Sequence, residues 1–550
     1  MITVRFEPDG RTTEVPRGTT ILAAARQAGL EIVATCGARG RCRSCRVQVV
    51  AGAVPPPTLA DRVQLGEDEV RERFRLACQA EIGEPLTVLV APILEEVAFQ
   101  IMSDTRALRS AAGFLLDSGV EQNPAFGLAF DIGTTTVVGY LVDLPDGTVV
   151  ASASGLNPQA AFGGDLISRI AFAQENPSNV RALQTRIVRL LNGQIEELCS
   201  AAGINRDAIY KTVIVGNTVM HHLFLGIDPT PVGQAPYTPV VRSSMRLRAH
   251  EAGLRLDPQV PVFLLPIVAG FVGADAVGMV LSTRLYTSTE PRIAADIGTN
   301  GEVVLGSPDG LIACSAPAGP ALEGGQIHCG MRGARGAIDQ VHLGSDVAYH
   351  TIGGDAPLGV CGSGILDAVA GMLDAGILDP SGRLHPDPPA SVPDALRRRV
   401  VSSAGEAPAF VLARGDETAS GEDIVLTQAD VRQVQLAKGA IRSAITMLER
   451  ISGTSEGRIA ELMLAGGFGN YLNVRSAIRI GLIPALPLDR ISYVGNAAGL
   501  GAQMALVSET ERRRADELAA KIRHISLATY PEFQQVFLEA VTFPPPGGME

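Results

Sequence analysis

The sequence says one short phrase twice. Residues 126–136 read FGLAFDIGTTT and residues 293–301 read IAADIGTNG. Each time an apolar strand runs into Asp-Ile-Gly-Thr and then into a second strand of opposite direction, VVGYLVD after Thr136 and EVVLGS after Gly301. Such a turn suits phosphate. Gly133 and Gly298 let the backbone bend and bring bare N–H groups up to an anion. Thr134 and Thr135, and Thr299 and Asn300 in the second copy, add neutral donors. Asp131 and Asp296 suit Mg²⁺, which prefers one or two carboxylates plus waters and phosphate oxygens. A single Asp-x-Gly-Thr is weak evidence, because many tight turns use Asp and Gly. Two copies, each at the end of a buried-type strand, constrain the chain far more.

A third piece is ELMLAGGFGNYLN at 461–473, an apolar strand ending in Gly466-Gly467 with Gly469 close behind. Paired glycines after a strand let a flat base or ribose lie against the backbone. Two Asp-Gly-Thr hairpins followed by strand-Gly-Gly resemble the actin-like superfamily that includes the acetate and sugar kinases. That resemblance implies a duplicated α/β core clamping ATP between its halves. The sequence holds no Gly-x4-Gly-Lys-Ser/Thr loop and no Gly-x-Gly-x-x-Gly after a strand, so the rival nucleotide folds lose support.

The first ninety residues are a different unit. MITVRFE alternates Ile2, Val4 and Phe6 on one face, Pro8-Asp9-Gly10 turns it into a second strand, and Thr19 is placed to cap a helix that stops at Gly29. Then ATCGARGRCRSCRVQVV spaces Cys36, Cys42 and Cys45 as C-x5-C-x2-C, with Cys78 far downstream. A structural zinc site usually shows two close cysteine pairs. Three thiols in one Gly-rich loop with a lone distant fourth is how a [2Fe–2S] cluster is held; zinc is the alternative. Strand–strand–helix–loop–strand is the order of a β-grasp ferredoxin, which residues 1–93 resemble. The other cysteines, Cys199, Cys314, Cys329 and Cys361, are scattered singly and read as buried thiols.

The expected architecture is multidomain α+β and α/β: the ferredoxin at 1–93, a helical linker at 94–125 that could double as a hinge, a first actin-like half at 126–290 and a second at 291–550. The apolar run 264–281 carries Pro266 and Asp275 and reads as buried core rather than a membrane span. His221 and His222 are adjacent on a helix, point about 100° apart and read as core or cleft-lining residues rather than chelators. Thr427 and Asp430 form a capping box for a long amphipathic helix in which Lys438 is expected to be exposed. The net charge of −12 argues against a nucleic-acid partner, no targeting peptide opens the sequence, and the expected location is the cytoplasm.

Together with the ferredoxin unit, these blocks resemble one family closely: the reductive activators of corrinoid proteins. The carrying residues are the cluster cysteines, DIGTTT at 131–136, VGNTVMHHLFLG at 215–226, DIGTNGE at 296–302 and AGPALEGG at 318–325. CGSGILDAV at 361–369, QLAKGAI at 435–441, LAGGFGNYL at 464–472 and PEFQQVFLEAVTFP at 531–544 complete it, while 384–426 carries no recognisable signal. The resemblance implies an ATP-hydrolysing electron-transfer protein. It would return the inactive Co(II) corrinoid of a methyltransferase system to Co(I), with the electron coming from its cluster. It implies Asp131, Asp296 and Glu323 at the catalytic centre, with Gly133, Thr134, Thr135, Gly298, Thr299, Asn300, Gly466 and Gly467 on ATP. The partners implied are a corrinoid protein and an upstream electron donor, with no membrane, and the resemblance leaves room for a homodimer. Two other readings stay open on the residues alone: a small-molecule kinase with an attached ferredoxin, in which Asp296 would sit near a substrate hydroxyl, and a redox-sensing ATP-binding module.

Overall fold

A computed structural model of the chain describes residues 1–30, 32–34, 36–90, 116–117, 119, 124–402, 407–467 and 472–545, without the side chains of 67 and 68. The expected helical linker and Gly469 fall outside the described residues, apart from the linker's last few positions.

The N-terminal unit is a mixed five-stranded sheet. Strands β1 (Ile2–Glu7), β2 (Arg11–Val15), β3 (Arg46–Gly52), β4 (Phe74–Leu76) and β5 (Leu86–Val90) lie in the order β2-β1-β5-β3-β4. Only the β1–β5 pair is parallel. The alternation of β1 puts Val4 and Phe6 fully inside, against the helix Ile21–Gln27. That helix is capped by Thr20, not Thr19: Ala23 N–H donates to Thr20 Oγ1 at 3.2 Å. Thr19 is instead held as extended chain, its carbonyl accepting from Ile82 N–H.

The two repeats build two six-stranded sheets of the same plan. In the first half β6 (Phe126–Ile132), β7 (Thr136–Asp143), β8 (Val149–Leu156), β9 (Ile209–Gly216), β10 (Met245–Arg248) and β11 (Pro261–Leu264) lie in the order β10-β11-β9-β6-β7-β8. The second half opens with β12 (Arg292–Ile297), β13 (Gly301–Ser307) and β14 (Gly310–Ala316). Two small three-stranded sheets are then inserted, from β15 (Ala337–Leu343), β16 (Val347–Thr351) and β17 (Gly359–Val360), and from β18 (Val400–Val401), β19 (Ala409–Ala413) and β20 (Ile424–Thr427). The unrecognised stretch 384–426 thus belongs to the second half's core, with Leu384, Leu396, Phe410 and Leu426 buried. The main sheet is completed by β21 (Glu461–Ala465), β22 (Ile491–Gly495) and β23 (Ile522–His524) in the order β22-β21-β12-β13-β14-β23.

The duplication extends to register. Each Asp-Gly-Thr strand forms an antiparallel hairpin on one side and a parallel pair on the other. Asp131 pairs with Val215, one residue before Gly216; Asp296 pairs with Ala465, one residue before Gly466. Gly216-Asn217 in the first half therefore occupies the place of Gly466-Gly467 in the second.

A shared apolar layer joins the halves. The helices Ala274–Thr283 and Ala497–Val507 lie in one core with β6, β7, β9, β12, β13 and β21, which includes Ala129, Tyr140, Val277, Ala294, Val304, Met463 and Ala502. They cross so closely that a Cβ on Gly501 would lie 2.1 Å from the Gly278 carbonyl oxygen, and one on Gly278 would lie 2.8 Å from that of Ala498. The apolar run 264–281 is the end of β11, a loop and most of the first of these helices, as expected for core.

Lys438 differs from expectation. It lies on the buried face of the helix Gln428–Ser452, donates from Nζ to the Thr542 carbonyl at 2.6 Å and sits 5.2 Å from the Phe543 ring centroid. Burial, with Arg442 adding like charge, pulls the amine down to about 7. The C-terminal segment covers this face, so the helix has no solvent side at Lys438. The capping box at Thr427 and Asp430 is present.

The helix crossing is directly testable. Replacing Gly501 by Ala must push the two helices apart, and overpacking of this kind costs about 1–3 kcal/mol. The expected result is a lower melting temperature together with weaker ATP binding, because the crossing sets the spacing of the halves. Wild-type values for both would show that the crossing relaxes without cost.

Candidate functional site

The first hairpin is tied back by its carbonyls. Gly133 O accepts from Asn157 Nδ2 at 2.8 Å, Thr134 O from Arg169 Nη2 at 2.5 Å and Thr135 O from Asn157 N–H at 2.8 Å. In a trans peptide the N–H points opposite to the preceding carbonyl. Tying these carbonyls inward therefore turns the Thr134 and Thr135 N–H groups towards the cleft, as an anion nest requires. Asn217, the cap of the helix Thr218–Leu225, fixes the Thr134 hydroxyl by donating to Oγ1 at 3.0 Å.

The second hairpin faces the first. Thr135 Oγ1 and Thr299 Oγ1 are 3.0 Å apart, and Thr299 Oγ1 donates to Glu323 Oε1 at 2.7 Å. A hydroxyl has one hydrogen, so Thr135 donates to Thr299 and Thr299 to Glu323. Glu323 closes a single helical turn, Pro320–Glu323, in the Gly-rich stretch that follows β14. Gly298 lies beside it, a Cβ there reaching to 3.8 Å from Glu323 Oε1. Gly466, at φ +90°, brings its backbone against Asp296, where a Cβ would lie 2.4 Å from Oδ1. Gly467 is exposed with open space beside it, and Asn300 is half-buried at the tip of the second hairpin.

The cleft floor carries excess negative charge. Burial, reinforced by Asp275 and Asp296, pushes the Asp131 carboxyl up to about 8 against a hydrogen bond to Asn496. Burial, with Asp275 and Glu323, pushes Asp296 up to about 7, and burial raises Asp275 to about 6. Glu302 is raised well above the usual range by burial and then by Asp275 and Asp296, although Ser315 donates to it at 3.1 Å. Asp131, Asp275 and Asp296 are enclosed by protein yet each keeps one face open to the cleft. Among the described residues no three of these side chains converge into a preformed cage. Carboxylates that crowd one another with an open face fit a divalent cation carrying its own water and phosphate ligands.

Asp275 and Glu302 were not singled out as site residues by sequence reasoning. Each carried a signal: Asp275 interrupts an apolar run at a helix start, and Glu302 stands in an otherwise apolar strand directly after DIGTNG. Asn157, Arg169 and Asn496 carried none. His221 and His222 are both buried, as expected; His222 lies 2.7 Å from the Thr218 carbonyl through Nδ1 and accepts from Val240 N–H at 3.0 Å through Nε2.

The four N-terminal cysteines converge in a separate place. All four are buried beneath a loop in which Gly37, Ala38 and Gly40 turn through positive φ. They stand as two pairs: Cys36 donates to Cys42 and Cys45 to Cys78. Those contacts and burial raise Cys36 and Cys45, whereas the Cys45 hydrogen bond holds Cys78 down to about 7. Two pairs match a binuclear cluster, in which each iron takes two thiolates, better than one tetrahedral ion. Donors already surround the sulfurs: Arg41 N–H lies 3.4 Å from Cys36 Sγ, and Gln79 Nε2 lies 3.5 Å from Cys78 Sγ. Thiols raised by a neighbouring sulfur and by burial, as Cys36 and Cys45 are, lose that penalty when they bind metal as thiolates. The residues present fit the group. Cys199, Cys314 and Cys361 are buried elsewhere, and Cys329 is half-buried against β20.

Fold and site together define a class: a [2Fe–2S] ferredoxin joined to a duplicated actin-like ATP-binding core. Residues 4–83 match the 2Fe-2S iron-sulfur cluster binding domain, 126–288 the RACo middle region, and 290–548 the C-terminal domain of RACo, the ASKHA domain. The chain is 37% identical over 430 residues to the corrinoid activation enzyme RamQ of Eubacterium limosum, covering 78% of this chain and 72% of that one. It is 24% identical over 459 residues to the [Co(II) methylated amine-specific corrinoid protein] reductase of Methanosarcina barkeri, covering 75% and 76%. A solved reductive activator for corrinoid, iron-sulfur protein superposes with a TM-score of 0.70 at 31% identity over 99% of each chain. The chain belongs to the family of reductive activators of corrinoid proteins.

The raised carboxyls fix the sign of a pH effect. Their folded pKa values exceed the unfolded carboxylate value of about 4. Between about pH 4 and 8 the native state therefore binds more protons than the unfolded chain, and stability falls as pH rises. His221, pulled down to about 3 by burial and then His222, and Lys438 work in the opposite sense, so the comparison must be with Asp131→Asn. In the absence of divalent cation, Asp131→Asn should gain stability relative to wild type as pH rises from 5 to 8, by at most about 1.4 kcal/mol per unit. Mg²⁺ with ATP should stabilise wild type and not the variant. Parallel melting curves across this range would refute the charge assignment.

Proposed function

We propose that the chain binds Mg²⁺·ATP between the two hairpins and uses it to drive electron transfer from its own cluster onto the Co(II) corrinoid of a partner protein. The observation that carries this reading is the coexistence of two sites: two phosphate hairpins meeting over uncompensated carboxylates, and a loop of four paired thiols seated on the same core.

The reading gives each residue a role. Thr134 and Thr135 N–H, with Gly298, Thr299 and Asn300, face the phosphates. Asp131 and Asp296 would hold Mg²⁺, with Asp275 and Glu302 deepening the negative potential. Glu323, which accepts from Thr299, would orient the attacking water, while Gly466 and Gly467 would leave room for the nucleoside. Cys36, Cys42, Cys45 and Cys78 hold the cluster, which when bound supplies one electron at a time. Reducing Co(II) is uphill for ordinary donors, and each ~59 mV of one-electron gap is a factor of ten. ATP can lower that barrier only by binding two states of the complex unequally.

The same reading assigns domain limits at 1–93, 94–125, 126–290 and 291–550, supported by where the sheets begin and end. The partner is a corrinoid protein, and reduction of the cluster requires an upstream electron donor. The net charge of −12 supports a partner set without nucleic acid. No helix among the described residues is long and apolar enough to cross a membrane, in keeping with a cytoplasmic protein. A homodimer is compatible with this scheme and is read out by the molecular mass in solution.

The cluster assignment predicts two irons per chain and a visible spectrum that Cys42→Ser abolishes. Cys199→Ser, Cys314→Ser, Cys329→Ser and Cys361→Ser should retain it. Zinc instead of iron after anaerobic reconstitution would overturn the assignment.

The coupling predicts that full-length protein, reduced at controlled low potential, accumulates Co(I) in a cognate corrinoid protein only with ATP. ATP turnover should rise when the Co(II) partner is added. Asp131→Ala and Asp296→Ala should keep the cluster spectrum and lose both responses. Equal Co(I) yield with and without ATP would leave the ATPase core without this role.

A further inference from the structure

The cluster domain stands on both halves of the ATPase core. On the first half, Arg26 donates to the Ala161 carbonyl at 3.0 Å and lies 5.2 and 5.6 Å from the ring centroids of Phe162 and Phe172. Beside it the cluster loop itself touches down. A Cβ on Gly37, the residue after Cys36, would lie 2.9 Å from Ser168 Cβ. On the second half, Arg43, held by both oxygens of Glu69 at 2.9 Å, reaches His328 Nδ1 at 3.1 Å. His328 is in turn fixed through its N–H to Asp430 Oδ1 at 2.7 Å.

The first foothold is wired to the phosphate hairpin. Ser168 and Arg169 are consecutive in the first turn of the helix Leu166–Glu175, which Asp165 caps by accepting from Ser168 N–H at 2.7 Å. Ser168 faces the cluster loop, while Arg169 runs inward. The Arg169 side chain is fully buried and reaches the Gly163 carbonyl through Nε at 2.8 Å and the Thr134 carbonyl through Nη2 at 2.5 Å. Its remaining contacts are Gln159 Oε1 at 3.3 Å and Met220 Sδ at 3.2 Å. Among the described residues no carboxylate hydrogen-bonds it, and Asp165 acts on it through charge alone. A buried guanidinium whose strongest bonds go to two backbone carbonyls fixes backbone position rather than neutralising charge.

Thr135 and Thr299 are in direct hydrogen-bond contact, so phosphates placed between the turns compete with the contact that holds the hairpins together. A rigid link from Thr134 to Ser168 then shifts one foothold of the cluster domain relative to the other.

We propose that Arg169 is a positioning residue that couples filling of the first phosphate hairpin to release of the cluster loop from its seat on Ser168. The proposal rests on the reading of the cleft as the ATP site. Nucleotide, by binding better when the hairpins are parted, favours the state in which the cluster domain has left at least one foothold. The cluster is thereby offered to a partner when ATP is bound and held against the core when it is not.

The test uses full-length protein carrying its cluster and compares wild type, Arg169→Met, Arg169→Lys and Phe162→Ala. Hydrogen exchange is read in peptides covering 36–45 and 163–176, with and without Mg²⁺·ATP, beside ATP affinity and the cluster spectrum. In wild type, ATP should speed exchange in 36–45 by about tenfold, the scale of one charge-assisted hydrogen bond. Arg169→Met, read at ATP concentrations that saturate it whatever its affinity, should keep the spectrum but lose that response, with Arg169→Lys recovering part of it. If Arg169→Met does not fold, the Arg169→Lys response decides, a full wild-type response refuting the link. Phe162→Ala, which removes the base under Arg26 and leaves the Arg169 tie intact, should show fast exchange in 36–45 without nucleotide. ATP that binds wild type without changing 36–45, or an undiminished response in Arg169→Met, overturns the link alone. ATP that does not bind wild type overturns the cleft reading and this link with it.

Discussion

The contact between Thr135 and Thr299 is the point on which the structure turns. It joins hydroxyls from two copies of one sequence phrase, 164 positions apart, across the seam between the halves. Everything that makes the contact possible is backbone work. The parallel strands β9 and β21 set the depth of the two Asp-Gly-Thr turns. The helix crossing at Gly278 and Gly501 sets the spacing between halves, because no side chain fits there. Behind the turns lie carboxylates, Asp131, Asp275, Asp296 and Glu302, that no basic residue among the described residues neutralises. The folded chain therefore holds charge at the cost of stability, a pattern that concentrates where a ligand will later supply the missing counter-charge.

The sequence revealed the parts made by local rules. Strand-turn-strand repeats, the capping box at Thr427 and Asp430, the alternation of β1 and the cysteine spacing all depend on residues a few positions apart. The duplicated hairpins led to the doubled sheet because Asp and Gly recur at identical offsets. What stayed hidden depends on long-range packing. Lys438 sits on an amphipathic helix whose pattern admits a solvent face there, and only the C-terminal segment folding back at Thr542 and Phe543 buries it. The residues 384–426 lack a long periodic signal because they form strands of only two to five residues, with β19 supplying Phe410, Leu412 and Ala413 to the core and β20 supplying Ile424 and Leu426. Thr19 and Thr20 could not be told apart as caps, since the choice depends on Ile82, sixty-odd residues away.

The same division holds at the site. Asp131, Gly133, Thr134, Thr135, Asp296, Gly298 and Thr299 were legible because the turn that uses them is a short motif. Asp275 stands on another element and reaches the cleft only through the fold, whereas Glu302 pairs with Asp296 within the second hairpin itself. Asn157 and Arg169 do nothing distinctive in sequence: one follows a strand, the other sits in an ordinary helix. Their role is to hold the carbonyls of a turn that must all face away from an anion. No spacing rule encodes that, because the partner carbonyls at Gly133, Thr134 and Thr135 are defined by geometry and not by residue type.

Placing electron carrier and ATPase in one chain solves a problem of direction. A cluster that passed its electron to any acceptor would waste reducing power, and a nucleotide site that turned over without a cobalt target would waste ATP. Both losses are limited when the two sites share a mechanical element, because each then senses the other's state through a difference in binding free energy. A domain seated on only one half would move with that half and report nothing about the cleft. A domain with Arg26 and Gly37 on one half and Arg43 on the other changes its fit whenever the halves separate. Reciprocity then follows: if nucleotide weakens the seat, a partner that draws the cluster domain off its seat must tighten nucleotide binding by the same factor. Nucleotide is thus held more tightly once the substrate protein arrives, with no contact required between the corrinoid and the phosphate hairpins.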